Sequence, residues 1–178
     1  GLDFITERVT EPLGNLYAMH WPFKQHTTSR NQKLMPYHDH LIKKGACFGQ
    51  TAAYERPMWY AINGNEPKYK YSYGHQNWYE SAQYETSNAR KNVALFELSP
   101  FAKFELSGPN SHSSLQYLCA NDIKDKVGVI TYTQMLNSKG GIESDLTVTC
   151  IDENKFRIVT GSGVRTPVSY THLRAHET

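Results

Sequence analysis

The sequence predicts an α+β fold built around an antiparallel sheet. Residues 101–106 alternate as a strand, and residues 129–136, 142–151 and 156–160, rich in apolar and β-branched residues, read as three more. Turn sequences rich in Gly, Asn and Asp join the last three runs into adjacent antiparallel strands. Helix-period patterns lie mainly upstream, so the two element types are segregated along the chain.

The elements follow in order. Ile5, Val9, Leu13, Leu16 and Tyr17 recur at helical spacing, interrupted by Pro12 and Gly14. A polar loop follows Met19-His20-Trp21-Pro22, and a short helix is expected over 38–44, ended by Gly45. Residues 1–60 are otherwise aromatic-rich, irregular and poor in aliphatics, so we expect them to lie against something larger. Residues 63–74 form a connection rich in Gly, Pro, Asn and Tyr. A helix is expected over 76–93, with Trp78, Ala82, Glu85, Ala89 and Val93 near one face and Glu80, Lys91 and Asn92 outside. After the strand at 101–106, Gly108-Pro109-Asn110 turns the chain, and Asn110 is the expected N-cap of a helix bearing Leu115 and Leu118. Asn137-Ser138-Lys139-Gly140-Gly141 reads as a hairpin turn, because two glycines supply positive φ cheaply. Asp152-Glu153-Asn154 turns again into the strand over 156–160, which would need further chain to pack against.

The composition narrows the function. A hydrophobic fraction of 39% supports a packed core, and a net charge of +2 without a basic stripe argues against nucleic acid. Lys68-Tyr69-Lys70-Tyr71 interleaves cations with rings but is too short to change that. Cys47, Cys119 and Cys150 are odd in number and far apart, with no C-x-x-C pair, so buried thiols in a reducing compartment are expected. No apolar run is long enough to span a bilayer. The chain opens on Gly1 and a helix-like sequence, and we expect it to begin inside a longer protein. Residues 167–178 continue neither strand pattern nor core. They look like translated sequencing-adaptor read-through and are set aside, together with His172 and His176.

The chemistry concentrates on one acid. On its strand, Leu146, Val148 and Cys150 share the core face, while Asp145, Thr147 and Thr149 share the other. Asp145 is therefore either a solvated acid beside a hairpin or a carboxylate facing a cleft, able to hold or deprotonate an amine. Spacing does not choose between them. His38-Asp39-His40 sits on a helix-like run, where histidines two apart diverge, so no metal site is expected. His20 reads as a packed structural histidine, and Ser111-His112-Ser113-Ser114 as the first turn of a helix rather than a triad. No Walker loop, nucleophile elbow or G-x-G-x-x-G occurs.

Phe96-Glu97-Leu98-Ser99-Pro100-Phe101, Tyr132-Thr133-Gln134-Met135-Leu136-Asn137, Gly140-Gly141 and Ser144-Asp145-Leu146-Thr147-Val148 carry a family resemblance. The chain resembles the folate-binding domain shared by the glycine-cleavage aminomethyltransferase (T-protein) and the flavin-dependent dimethylglycine and sarcosine dehydrogenases. Upstream, Met19-His20-Trp21-Pro22, Gly45-Ala46-Cys47-Phe48-Gly49, Glu55-Arg56-Pro57 and residues 71–78 look like the segment that joins flavin and folate domains in the dehydrogenase branch.

The resemblance implies three regions: a central linker segment of an FAD-dependent amine oxidoreductase at 1–60, a partial aminomethyltransferase-like folate-binding domain at 61–166, and the non-native tail at 167–178. It implies a parent enzyme that oxidises an N-methyl amine on FAD held by a domain outside this chain. Tetrahydrofolate would capture the one-carbon unit as 5,10-methylenetetrahydrofolate. Asp145 matches the family's catalytic aspartate, and Phe101, Tyr132, Val159 and Gly161 match folate-lining positions. Gly161 departs from the asparagine that the T-protein carries there. An electron-transfer flavoprotein is an implied electron acceptor. The implied location is the mitochondrial matrix in a eukaryote and otherwise the cytoplasm. The isolated chain is expected to have neither activity. A non-catalytic alternative is a regulatory subunit like that of pyruvate dehydrogenase phosphatase, which resembles the same architecture.

Overall fold

The computed structural model describes residues 1–164, so the expected tail at 167–178 lies outside the described residues. The chain divides into two compact units, one spanning Gly1–Leu98 and the other beginning at Ser99.

The first unit opens with α1 (Leu2–Gly14). Its helical spacing holds, and Pro12 is accommodated in the last turn. Its apolar stripe is nevertheless exposed, with Val9 at 53% and Leu13 at 66%. The helix is held by its polar face instead. The Glu11 carboxylate accepts from the backbone N–H and the hydroxyl of both Thr27 and Thr28. Arg8 donates to the carbonyls of Thr28 and Ser29 and to Gln50 Oε1. Burial works to raise the Glu11 carboxyl, but hydrogen bonds from Thr28 and Thr27 outweigh it and hold it down at about 2.

After α2 (His38–Lys43), a hairpin occupies part of the stretch read as irregular: β1 (Ala46–Thr51) pairs antiparallel with β2 (Tyr54–Tyr60). Its turn residues Ala52 and Ala53 have φ of 50° and 66°, the left-handed conformation normally signalled by Asn or Gly. Alanine gives no such signal, which is why the hairpin is invisible in the sequence. The hairpin is fastened to the preceding loop by Glu55, which is fully buried. Its carboxylate accepts from Arg30 Nε and Nη2, the Asn31 N–H and Gln50 Nε2. Arg30 also donates to the carbonyls of His26 and Phe48, so one guanidinium ties loop to strand. Burial works to raise the Glu55 carboxyl, and these hydrogen bonds reverse it, so it stays below the ordinary carboxylate range.

The helix expected over 76–93 is shorter, α3 (Tyr79–Lys91). Its inward residues also differ from expectation. Ser81 is buried and Glu85 accepts from the Tyr60 N–H, whereas Ala82 is exposed and Val93 is 93% exposed. The helix lies on the edge of β2 through a polar contact rather than an apolar one.

The second unit contains β3 (Ala102–Ser107), α4 (Ser111–Leu118), β4 (Ile130–Leu136), β5 (Ile142–Asp152) and β6 (Lys155–Thr160). The four strands form one antiparallel sheet in the order β3-β6-β5-β4. β6 therefore needs no later chain as its neighbour, because β3 returns to pair with it from Ala102↔Thr160 to Ser107↔Lys155. That pairing joins residues 48 to 58 positions apart and leaves no local trace in sequence. α4 covers one face, and Leu115, Met135, Leu146, Val148, Phe156 and Ile158 make the core there, each at 2% exposure or less. Burying each large apolar side chain contributes about 1.5–3 kcal/mol. Asn110 sits at the N-cap as expected, but its side chain makes no capping bond.

At the β4–β5 turn only Gly140 has positive φ, 79°. Gly141 is needed for a different reason: a Cβ there would sit 2.9 Å from Asn137 Nδ2. The Asn137 Oδ1 accepts from the N–H groups of Lys139 and Gly141 and closes the turn. The hairpin register then slips between Met135 and Leu136, placing Ser144 opposite Met135 and Asp145 opposite Gln134.

Candidate functional site

The face of the second sheet that is not covered by α4 gathers the residues singled out by sequence. Strand alternation turns Ser144, Leu146, Val148 and Cys150 inward and buries them. Asp145 is exposed, and Thr147 and Thr149 are half-buried on the outer face. Asp145 thus lies on the side that the alternation assigns.

The register fixes its neighbours. Lys103, Val159, Thr147 and Tyr132 form one cross-strand row over β3, β6, β5 and β4. One step further, Gln134 pairs with Asp145 on β4. Phe101 and Gly161 stand one residue beyond the last β3–β6 pair, Ala102↔Thr160, at the ends of β3 and β6. The sheet therefore brings Asp145, Tyr132 and Val159 onto two adjacent rows of one face, with Phe101 and Gly161 adjoining the ends of β3 and β6. In these sheets neighbouring strands lie about 4.8 Å apart. Tyr132 donates its phenolic O–H to Asp145 Oδ2 at 3.4 Å, a long contact that orients the carboxylate weakly. Tyr132 is 56% exposed and Phe101 36%, and of the two only Tyr132 touches the acid. Among the described residues no atom comes within 4 Å of a Cβ built on Gly161.

This arrangement offers one carboxylate acceptor with the Tyr132 ring beside it, and Phe101 at the end of β3, two strands away. Such a face can stack a flat heterocycle and take a proton from an amine presented at the Asp145 carboxylate. One cavity in this unit, of about 510 Å³, is lined by Asn110, Ser113, Ser114, Tyr117 and Leu118 and does not include Asp145. Asp145 therefore lies on an open face and not in that cavity.

Two features escape the sequence reading. Gln134, half-buried and directly opposite Asp145, was not singled out. Nor were the buried hydroxyls of Ser144 and Thr160, although both stand in phase with the apolar inward residues of their strands. A polar residue at a core position of a strand was the available signal.

The other candidates resolve into structural roles. His38 is buried while Asp39 and His40 are exposed, so α2 turns the two histidines apart, and no group of three metal-capable side chains occurs among the described residues. His20 is exposed rather than packed. Ser111 Oγ donates to the Asn154 carbonyl, and His112 Nε2 contacts the Ile123 carbonyl. All three cysteines are free and buried, and burial pushes the Cys47 and Cys119 thiols up to about 11, which keeps them protonated and inert. Among the described residues no helix is long and apolar enough to cross a membrane.

Comparison with known proteins places these features in a family. Residues 37–177 match the GCVT N-terminal domain, and residues 2–34 match the FAD dependent oxidoreductase central domain. The chain is 43% identical over 160 residues to 4-methylaminobutanoate oxidase (formaldehyde-forming) of Paenarthrobacter nicotinovorans, covering 90% of this chain and 19% of that protein. It is 36% identical over 122 residues to human mitochondrial dimethylglycine dehydrogenase, covering 68% of this chain and 14% of that protein. It is 28% identical over 167 residues to the mouse mitochondrial pyruvate dehydrogenase phosphatase regulatory subunit, covering 88% of this chain and 18% of that protein. The fold matches the glycine cleavage system aminomethyltransferase T of Bartonella henselae with a TM-score of 0.66 at 24% identity, over 82% of this chain and 36% of that one. The chain spans about a fifth or less of the length of these curated relatives. The chain belongs to the GCVT-domain family, in the branch that joins this domain to an FAD-dependent oxidoreductase central domain and includes the dimethylglycine and sarcosine dehydrogenases and 4-methylaminobutanoate oxidase.

Proposed function

We propose that this chain is the folate-side portion of an FAD-dependent N-methyl amine oxidoreductase, in which the outer sheet face around Asp145 transfers the released one-carbon unit to tetrahydrofolate. The observation that carries this reading is the placing of Asp145, Tyr132 and Val159 on two adjacent rows of one face, with Phe101 and Gly161 at the adjoining strand ends. Relatives named as oxidases and dehydrogenases of methylated amines support the oxidative half.

The residues present fit a folate. A pterin is flat and needs a ring to stack on, and Tyr132 and Phe101 have exposed rings. The absent asparagine side chain at Gly161 leaves room at the end of β6. Asp145 accepts the proton that the folate nitrogen loses when it attacks the one-carbon iminium, and its charge favours the cationic species that precedes that loss. FAD, held outside this chain, supplies the two-electron acceptor for amine oxidation. An electron-transfer flavoprotein is the proposed onward acceptor. The mammalian relatives are named mitochondrial, which supports a matrix location for a eukaryotic parent.

The test uses the flavin-bearing polypeptide that contains this sequence. N-methyl amine turnover is followed with and without tetrahydrofolate. The reading predicts free formaldehyde without folate and 5,10-methylenetetrahydrofolate with it. Formaldehyde in equal amount under both conditions overturns the folate half. The 28% identity to a phosphatase regulatory subunit over 88% of this chain favours a second, non-catalytic reading. No amine oxidation at all, with flavin bound, would support that one.

A further inference from the structure

Two hydroxyls lie buried inside the apolar layer of the second unit, directly beneath Asp145. Ser144 is 3% exposed and Thr160 2% exposed, among neighbours such as Leu146 and Ile158. Burying a hydroxyl is costly unless it is hydrogen-bonded, so this pair calls for a physical reason. Ser144 Oγ and Thr160 Oγ1 lie 2.7 Å apart. Thr160 Oγ1 in turn donates to the backbone carbonyl of Asp145 at 2.7 Å. Ser144 Oγ lies 3.2 Å from that same carbonyl. Each hydroxyl has one proton, and the two shortest contacts, both 2.7 Å, make a relay. Ser144 donates to Thr160, and Thr160 donates to Asp145.

The place of this relay in the sheet gives it a purpose. The β5–β6 register ends at Leu146↔Thr160, so Asp145 lies one residue past the last pair on that side. On its other side, the β4–β5 register slips between Met135 and Leu136, within two residues of Gln134, the partner of Asp145. Asp145 therefore sits where the sheet stops specifying the backbone from one side and shifts on the other. At Asp145 the strand is paired to β4 alone, so its peptide is held from one side where Leu146 is held from two. The hydroxyl relay holds the Asp145 carbonyl at the point where pairing with β6 ends.

We infer that Ser144 and Thr160 are positioning residues for Asp145: their buried hydroxyl relay fixes the Asp145 peptide and so aims its carboxylate at the ligand on the outer face. The inference rests on the folate reading of that face for its functional consequence, but its structural half stands without it. Misplacing a reacting group by about 1 Å costs on the order of a hundredfold in rate, so a fixed peptide matters at this position.

The test has two arms. In the isotope-labelled 178-residue chain, NMR reads the Asp145 carbonyl carbon shift and its χ1 couplings. Thr160→Val keeps shape and removes the donor. The expected result is a displaced carbonyl shift and rotamer-averaged couplings at Asp145, with both restored in Thr160→Ser. In the flavin-bearing polypeptide, Thr160→Val is expected to lower tetrahydrofolate-dependent product formation by roughly tenfold to a hundredfold. Amine oxidation should stay unchanged, and Thr160→Ser should recover the lost rate. If Thr160→Val does not fold, Ser144→Ala serves, with the same direction and a smaller effect. Unchanged Asp145 signals in a folded Thr160→Val or Ser144→Ala chain overturn the inference. A displaced Asp145 signal together with an Asp145→Asn enzyme that couples folate normally overturns the folate reading and leaves the positioning intact.

Discussion

Replacing Glu55 by Gln should unfold the first unit far more readily than any surface change. Glu55 is fully buried and its Arg30 partner 27% exposed, so the pair is mostly shielded from water. The carboxylate takes Arg30 through two nitrogens, and also the Asn31 N–H and the Gln50 amide. Glutamine keeps the shape but offers one acceptor oxygen and an amide that faces the guanidinium. Removing one partner of a buried ion pair costs about 3–5 kcal/mol. Taking about 3 kcal/mol, because Arg30 is partly solvated, a unit of this size should melt roughly 12–24 °C lower. Trp21, Trp59 and Trp78 all lie in Gly1–Leu98 and no tryptophan lies in the rest of the chain, so tryptophan emission reports this unit alone. A urea or thermal melt read by that emission is the assay. The double change Glu55→Leu with Arg30→Met should recover most of the loss, since an apolar pair of similar volume is often neutral. A Glu55→Gln shift below about 1 kcal/mol would refute the reasoning, because surface pairs have that size.

Three further outcomes follow from the structure. Glu11 is held at about 2 against an ordinary 4.5, so its contribution is present above pH 4.5 and is lost as pH falls from there towards 2. Discounted for solvent screening, the loss is about 1–2 kcal/mol, and Glu11→Gln should remove that acid sensitivity in a tryptophan melt run at pH 3 and pH 6. Changing Ala52 to Asn and Ala53 to Gly should raise the stability of the first unit by about 1 kcal/mol, because both alanines occupy the left-handed region. Leu115→Ala, at the centre of the second core, should cost about 2–5 kcal/mol, read as loss of far-UV dichroism with tryptophan emission unaffected.

How much of this was legible depended on whether the deciding interaction was local. The β4–β5 hairpin was readable because Asn137 and Gly140 carry the turn within five residues. The outward direction of Asp145 was readable because period-2 alternation reports it directly. The β1–β2 hairpin was not, because Ala52 and Ala53 adopt a turn that their chemistry does not advertise. The β3–β6 pairing was hidden for another reason: nothing near Phe104 specifies that its partner is Ile158. The docking of α1 inverted the usual rule, since Glu11 and Arg8 hold the helix and the leucines face out. The outer-face rows needed both the resemblance and the register, because Phe101, Tyr132 and Asp145 come from three different strands or strand ends.

The account stands most directly on what Asp145 does. In the flavin-bearing polypeptide that contains this sequence, amine oxidation and tetrahydrofolate-dependent 5,10-methylenetetrahydrofolate formation can be measured side by side for Asp145→Asn. Asparagine preserves the shape on the outer face and removes the proton acceptor. The account predicts that the folate-dependent product falls by about a hundredfold while amine oxidation stays within about twofold. Loss of both activities together, or of neither, would contradict a folate-site role for the acid beside the hairpin.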